Sequence, residues 1–261
     1  MGQPIAIGIC TTPERAPLVA PYYDYIELSL STVLDPLQDD ETFAPALEAL
    51  HKLPLPARAC NNFVNPRVKL VGPDVDWGLV ESYVERGFRR AQALGIERIV
   101  FGSGGARMVP EGYSRETAWE QLVRFCRLCA ERAYAGLTLA IEPLNRGECN
   151  ILNSYGEGVA LARDVDRPNI RVLADIYHFE VESEPVEAIR PGADVLAHVH
   201  LADSGRLYPG SGSYPLRAWF ALLHELGYDQ RASVECTWGE DFAAEAQAAA
   251  AFLRPLARGE V

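Results

Sequence analysis

Eight short apolar runs, each four to seven residues long, alternate along this chain with longer segments of helical period, and few folds accept that pattern. The runs lie at 5–10, 25–28, 57–63, 98–102, 137–142, 170–175, 195–201 and 231–236. Strands that are each followed by a helix must return over the sheet and pair in parallel, and eight such units in 261 residues match a closed (β/α)8 TIM barrel. An open doubly wound sheet is the alternative. No Gly/Ser linker, charge block or low-complexity stretch divides the chain, so residues 1–261 are expected to form a single domain.

The helices read most clearly where apolar residues recur at three- and four-residue steps. Val80, Tyr83, Val84, Phe88, Ala91 and Leu94 form one such face, and Gly95 stands where a C-terminal cap belongs. Segments 114–135, 154–165 and 216–226 repeat the pattern, the last closed by Gly227. A weaker helix is expected to begin at Ser183, where Glu184 and Pro185 suit a first turn.

A formal charge of −12 argues against a nucleic-acid binder, because that affinity comes mainly from clustered Lys and Arg. No apolar run is long enough to span a bilayer, and no targeting segment is legible at the start. The six cysteines, at 10, 60, 126, 129, 149 and 236, lie mostly inside apolar runs, which predicts reduced thiols and a cytoplasmic protein. Cys126 and Cys129 form a C-x-x-C within a helical pattern and without a second pair, so buried packing is the reading there. The segment Gly102-Ser103-Gly104-Gly105-Ala106-Arg107 is read as a turn, with phosphate contact as the lesser alternative.

The chemistry gathers at four strand ends: Leu139-Ala140-Ile141-Glu142, Val172-Leu173-Ala174-Asp175, Ala197-His198-Val199-His200 and Ala232-Ser233-Val234-Glu235. An acid at one strand end is commonly a helix cap or a loop charge. Four metal-binding groups in register, 25 to 35 residues apart, converge at one mouth if the strands close into a barrel. Three carboxylates and an imidazole suit Mn²⁺ first, and also Co²⁺ or Mg²⁺, whereas a structural zinc site would be richer in cysteine. His198, two residues before His200, shares its face of the strand and is expected to be a hydrogen-bonded interior histidine.

These residues resemble the metal-dependent ketose 3-epimerases of the tagatose/psicose (allulose) type, within the wider xylose-isomerase-like TIM-barrel sugar isomerases. The likeness is carried by Ile141-Glu142-Pro143-Leu144-Asn145-Arg146, then Glu148 and Leu152-Asn153, by Asp175-Ile176-Tyr177-His178, by Arg206 six residues beyond His200, and by Glu235. It implies that Glu142, Asp175, His200 and Glu235 hold one divalent metal ion, that Glu142 and Glu235 are also the acid/base pair, and that Glu148, His178 and Arg206 contact a small sugar. It also implies a homodimer or homotetramer. The run Leu201-Ala202-Asp203-Ser204-Gly205-Arg206 followed by Tyr208-Pro209-Gly210-Ser211-Gly212 departs from the epimerase pattern toward hydroxypyruvate-isomerase-like proteins.

The expected reaction removes a proton next to a carbonyl and passes through an ene-diolate. Hydroxypyruvate isomerisation and inosose dehydration begin in the same way and remain alternatives. An endonuclease-IV-like phosphodiesterase shares the barrel but needs more metal ligands and a DNA-binding face, and the chain has only five histidines.

Overall fold

A computed structural model of the protein describes residues 3–260. Eight parallel strands close into a barrel in chain order: β1 (Ala6–Cys10), β2 (Tyr25–Ser29), β3 (Ala57–Asn61), β4 (Arg98–Phe101), β5 (Thr138–Ile141), β6 (Ile170–Asp175), β7 (Leu196–Leu201) and β8 (Arg231–Val234), with β8 pairing back onto β1. All eight predicted strands are present, most of them a residue or two shorter than the apolar runs. Glu142 and Glu235 therefore stand one residue beyond their strands, while their backbone N–H groups still bond to the neighbouring strand, to Phe101 O at 3.1 Å and Leu201 O at 3.0 Å.

The helices of the outer layer are α1 (Ala16–Val19), α2 (Asp40–Leu50), α3 (Trp77–Ala93), α4 (Gly104–Arg107), α5 (Arg115–Arg132), α6 (Tyr155–Val165), α7 (Ile176–Val181), α8 (Leu216–Glu225) and α9 (Phe242–Ala257). Their starts follow local chemistry. Ser114 accepts from Thr117 N, Ser154 from Glu157 N and Asp76 from Leu79 N, satisfying donors that the first turn leaves free, each cap being worth about 1 kcal/mol. The predicted face of α3 is buried from Val80 to Ala91, and the Phe88 ring stacks on Phe63, two residues beyond β3, with the rings 5.6 Å apart. Cys126 and Cys129 are buried free thiols on α5, as packing residues would be.

Two expectations are corrected. Ser183 does not start a helix: it adopts φ 54°, and Glu184 turns its carboxylate to the N-terminus of α6, where it accepts from Tyr155 N at 3.1 Å. A 3-10 segment begins only at Val186, after Pro185. The glycine-rich segment after β4 is not a plain turn, because residues 104–107 close one short helical turn whose Arg107 is buried and donates to Phe101 O at 3.0 Å and Glu142 O at 2.7 Å.

The barrel interior is divided. Val100, Ala140 and Leu173, from β4, β5 and β6, form a small apolar cluster separate from the large core between strands and helices. The opposite wall carries Tyr25 and Glu27 from β2, His198 and His200 from β7 and Ser233 from β8, all buried. Strand periodicity produces this arrangement: residues two apart share a face, so the inward rows through Ala140, Leu173, His198 and Ser233 end at the C-terminal mouth in Glu142, Asp175, His200 and Glu235. Tyr25 fits because its neighbour on β1 is Gly8, where a Cβ would overlap the Tyr25 ring.

Candidate metal centre

At the C-terminal mouth, one ligand atom each from Glu142, Asp175, His200 and Glu235 lies within 4.8 Å of the other three. The four groups selected from the strand ends are thus brought together, despite coming from β5, β6, β7 and β8. Barrel register aligns them: Asp175 pairs with His200, and His200 pairs with Ser233, two residues before Glu235.

His200 stands at the centre. Its Nδ1 is 3.1 Å from Glu142 Oε1 and 3.3 Å from Glu235 Oε2, while Nε2 is 3.0 Å from Glu27 Oε1. Burial opposes a charge on this imidazole, but Glu235 and Glu27 outweigh it and hold His200 well above the ordinary histidine range. Burial likewise opposes the charge on Glu235, yet His200 and Arg206 prevail and pull its carboxyl down to about 2. Glu142 and Asp175 go the other way. Burial raises both, and the neighbouring Glu235 carboxylate adds to it, carrying Asp175 to about 6.

Three features fit a divalent cation in this cluster. Asp175 Oδ1 accepts from Tyr177 N at 2.8 Å, but its buried Oδ2 has no hydrogen-bond partner. The carboxylates and the imidazole are the donor set of a hard or borderline metal. His200 directs one nitrogen at the cluster and the other at a carboxylate, the arrangement that orients a metal-bound imidazole.

The residues expected to touch a substrate surround the same point. Arg206, in the left-handed region at φ 59°, donates from Nη1 to Glu148 Oε1 and from Nη2 to Glu235 Oε2, both at 3.0 Å. His178 lies on α7; its Nδ1 accepts from Asn145 N at 3.2 Å and lies 2.9 Å from Asn145 Nδ2. With Nδ1 engaged as an acceptor, the proton belongs on Nε2, which is buried without a hydrogen bond and stands 3.5 Å from Asp175 Oδ2. Burial lowers the pKa of His178, so the ring is neutral. A cavity of about 470 Å³ opens over these groups, bounded on the far side by Ser31, Asn61, Asn62 and Ser103. A larger groove of about 600 Å³ crosses the outer face of α5 near Trp119, Arg127 and Asp164, away from this cluster.

Sequence reasoning missed four residues here. Asn61, ending β3, donates to Glu235 Oε1 at 2.6 Å. Asn145 bonds both His178 and Glu148, the latter at 3.0 Å. Glu27 and Ser233 lie deeper, behind His198 and His200. A signal existed for Glu27, an acid in the middle of an otherwise apolar strand, and for Asn61, a polar strand end like the four that were selected.

A closed barrel of eight parallel strands with its polar cluster at the C-terminal mouth defines the (β/α)8 class, whose sites lie at that face. The chain belongs to the xylose isomerase-like TIM barrel family, whose model matches residues 23–256. It is 37% identical to a D-psicose 3-epimerase of Agrobacterium fabrum over 94 residues, a stretch covering 36% of this chain and 32% of that protein. It is 28% identical to an L-ribulose 3-epimerase of a Methylomonas species over 213 residues, 79% of this chain and 71% of that one. The crystal structure of D-psicose 3-epimerase with D-tagatose from Clostridium cellulolyticum superposes with a TM-score of 0.83 over 97% of this chain and 99% of that one; at 22% identity this likeness concerns the fold.

Proposed function

We propose that this protein is a divalent-metal-dependent sugar epimerase of the ketose 3-epimerase type, acting by proton transfer at a carbon next to a carbonyl. The observation that carries the reading is the pair Glu142 and Glu235, which both line the cavity, both approach His200 Nδ1, at 3.1 and 3.3 Å, and in the metal-free protein are held in opposite protonation tendencies. Two carboxyl groups pushed apart in this way are what acid and base on one substrate require. The names of the D-psicose and L-ribulose 3-epimerases that this chain resembles support the same class.

Glu142, Asp175, His200 and Glu235 would hold the ion, with Mn²⁺ the preferred metal. A divalent cation held there would supply positive charge that stabilises the negative charge of the deprotonated substrate. Glu235, paired with Arg206 at 3.0 Å and braced by Asn61, takes the proton from one face of the substrate. Glu142 returns one from the other face, and the configuration inverts. The reverse reaction exchanges the two roles. His178 offers its free Nε2–H to a substrate oxygen, and Arg206 and Glu148 grip hydroxyls at the rim.

The test is Glu235→Gln, assayed on ketohexoses, ketopentoses, hydroxypyruvate and inosose with added Mn²⁺. The expected result is a folded barrel without turnover, and without solvent deuterium entering the substrate. Undiminished activity in the variant rejects the assignment. Product identity with the wild-type protein separates a 3-epimerase from a hydroxypyruvate isomerase or an inosose dehydratase.

A further inference from the structure

Inside the barrel, below the proposed ligands, lies an acid with no lysine or arginine bonded to it. Glu27 is fully buried, and its two oxygens divide between two imidazoles: Oε1 is 3.0 Å from His200 Nε2, and Oε2 is 2.9 Å from His198 Nε2. A carboxylate only accepts, so both rings must present an N–H at Nε2. His198 is steadied by Ser233 Oγ at 3.3 Å, and Ser233 by Tyr25 Oη at 2.8 Å, so the acid is clamped from below by three side chains on two other strands and its own. With the Nε2 proton of His200 committed to Glu27, the lone pair that a cation needs can sit only on Nδ1. That is the nitrogen facing Glu142 and Glu235.

We propose that Glu27 is a positioning residue: it fixes the tautomer of His200, and so makes Nδ1 the metal-facing atom, while His198 holds Glu27 in place. The inference rests on the reading of Glu142, Asp175, His200 and Glu235 as ligands. Its physical content is an acceptor count. Glu27→Gln leaves the shape of the side chain but offers one acceptor and one amide donor to two N–H groups. Whichever ring meets the amide N–H₂ has to give up its Nε2 proton. If that ring is His200, its proton moves to Nδ1 and points into the ligand cluster, where it competes with the ion. If it is His198, the proton moves to a buried Nδ1 that has no partner, an unsatisfied donor that costs stability, whereas a proton on His200 Nδ1 meets the Glu142 and Glu235 carboxylates; His200 is therefore the ring expected to give way.

Two measurements test this on the full-length protein. In calorimetric titration with Mn²⁺, Glu27→Gln is expected to bind about tenfold to hundredfold more weakly than wild type, with its far-ultraviolet dichroism retained. In ¹⁵N spectra of histidine-labelled wild-type protein loaded with diamagnetic Mg²⁺, His200 is expected to show a protonated Nε2 and an unprotonated Nδ1. A variant with wild-type Mn²⁺ affinity, or a protonated Nδ1 in the loaded wild type, overturns the proposal. Should Glu27→Gln not fold, the wild-type spectrum decides alone. If wild-type protein binds no divalent ion, the ligand reading fails and takes this inference with it; a metal-binding wild type beside an indifferent Glu27→Gln overturns only the role of Glu27.

Discussion

Gly102→Ala isolates the position of one carboxylate. Gly102 follows β4, and a Cβ built there overlaps Glu142 Oε2 and lies 3.2 Å from the Glu142 carboxyl carbon. Relief cannot come easily from the backbone, because buried Arg107 ties Phe101 O and Glu142 O together. The carboxylate itself must therefore swing by about 1 Å, and a misplacement of that size at a reacting group costs on the order of 10²-fold in rate. That factor corresponds to about 2.7 kcal/mol of transition-state stabilisation. The cost to stability is smaller: overpacking of about 1 kcal/mol, since the clashing atoms end a side chain, lowers Tm by about 2–4 °C. Steady-state kinetics on the best ketose of the panel and a thermal melt read the two effects separately, and a Mn²⁺ titration reads whether the displaced carboxylate still holds the ion. A variant that keeps kcat/KM within about threefold and binds Mn²⁺ like wild type refutes the argument that Glu142 is held in place by a missing methyl group.

Two further outcomes follow from the same geometry. A cation displaces protons from its ligands, and in the metal-free protein Asp175 titrates near pH 6 while His200 is held charged; metal affinity should therefore rise with pH and weaken as pH falls through about 6. Calorimetry in buffers of different ionisation enthalpy measures the proton release, and an affinity constant from pH 5.5 to 8 would contradict it. Asp203 is buried and accepts three backbone N–H groups, from Ser204, Gly210 and Tyr214 at 2.8, 2.9 and 2.9 Å, pinning the loop that carries Arg206. Asp203→Ala should leave Glu235 able to react but release Arg206, raising KM by about tenfold with a smaller change in kcat; a KM unchanged within error would show that the loop holds its shape without the acid.

How much of this could be read from the sequence differs between elements. The eight strands and the helices beginning near 114 and 154 were legible because their causes are local: short apolar runs, and a period near 3.6. Ser183 misled for the opposite reason. Its local pattern suits a helix start, but Glu184 is claimed by the N-terminus of α6, a contact 29 residues away. The four proposed ligands were legible because closure of a barrel sends every strand end to one mouth.

By itself the sequence determined eight strand–helix units and which side chains end the strands, since both depend on residue spacing along the chain, and it favoured a closed barrel over an open sheet; closure itself is in the pairing of β8 with β1. Only the tertiary structure decided that Asn61 braces Glu235 from 174 residues away, that Glu27 meets His200 across 173, and that Glu142 lies against the bare backbone of Gly102. Periodicity states which face a side chain takes, but not which partner stands opposite. That partner sets the charge of each carboxylate, because in a dry interior the nearest ion or hydrogen-bond donor outweighs everything the residue carries from its own stretch of chain.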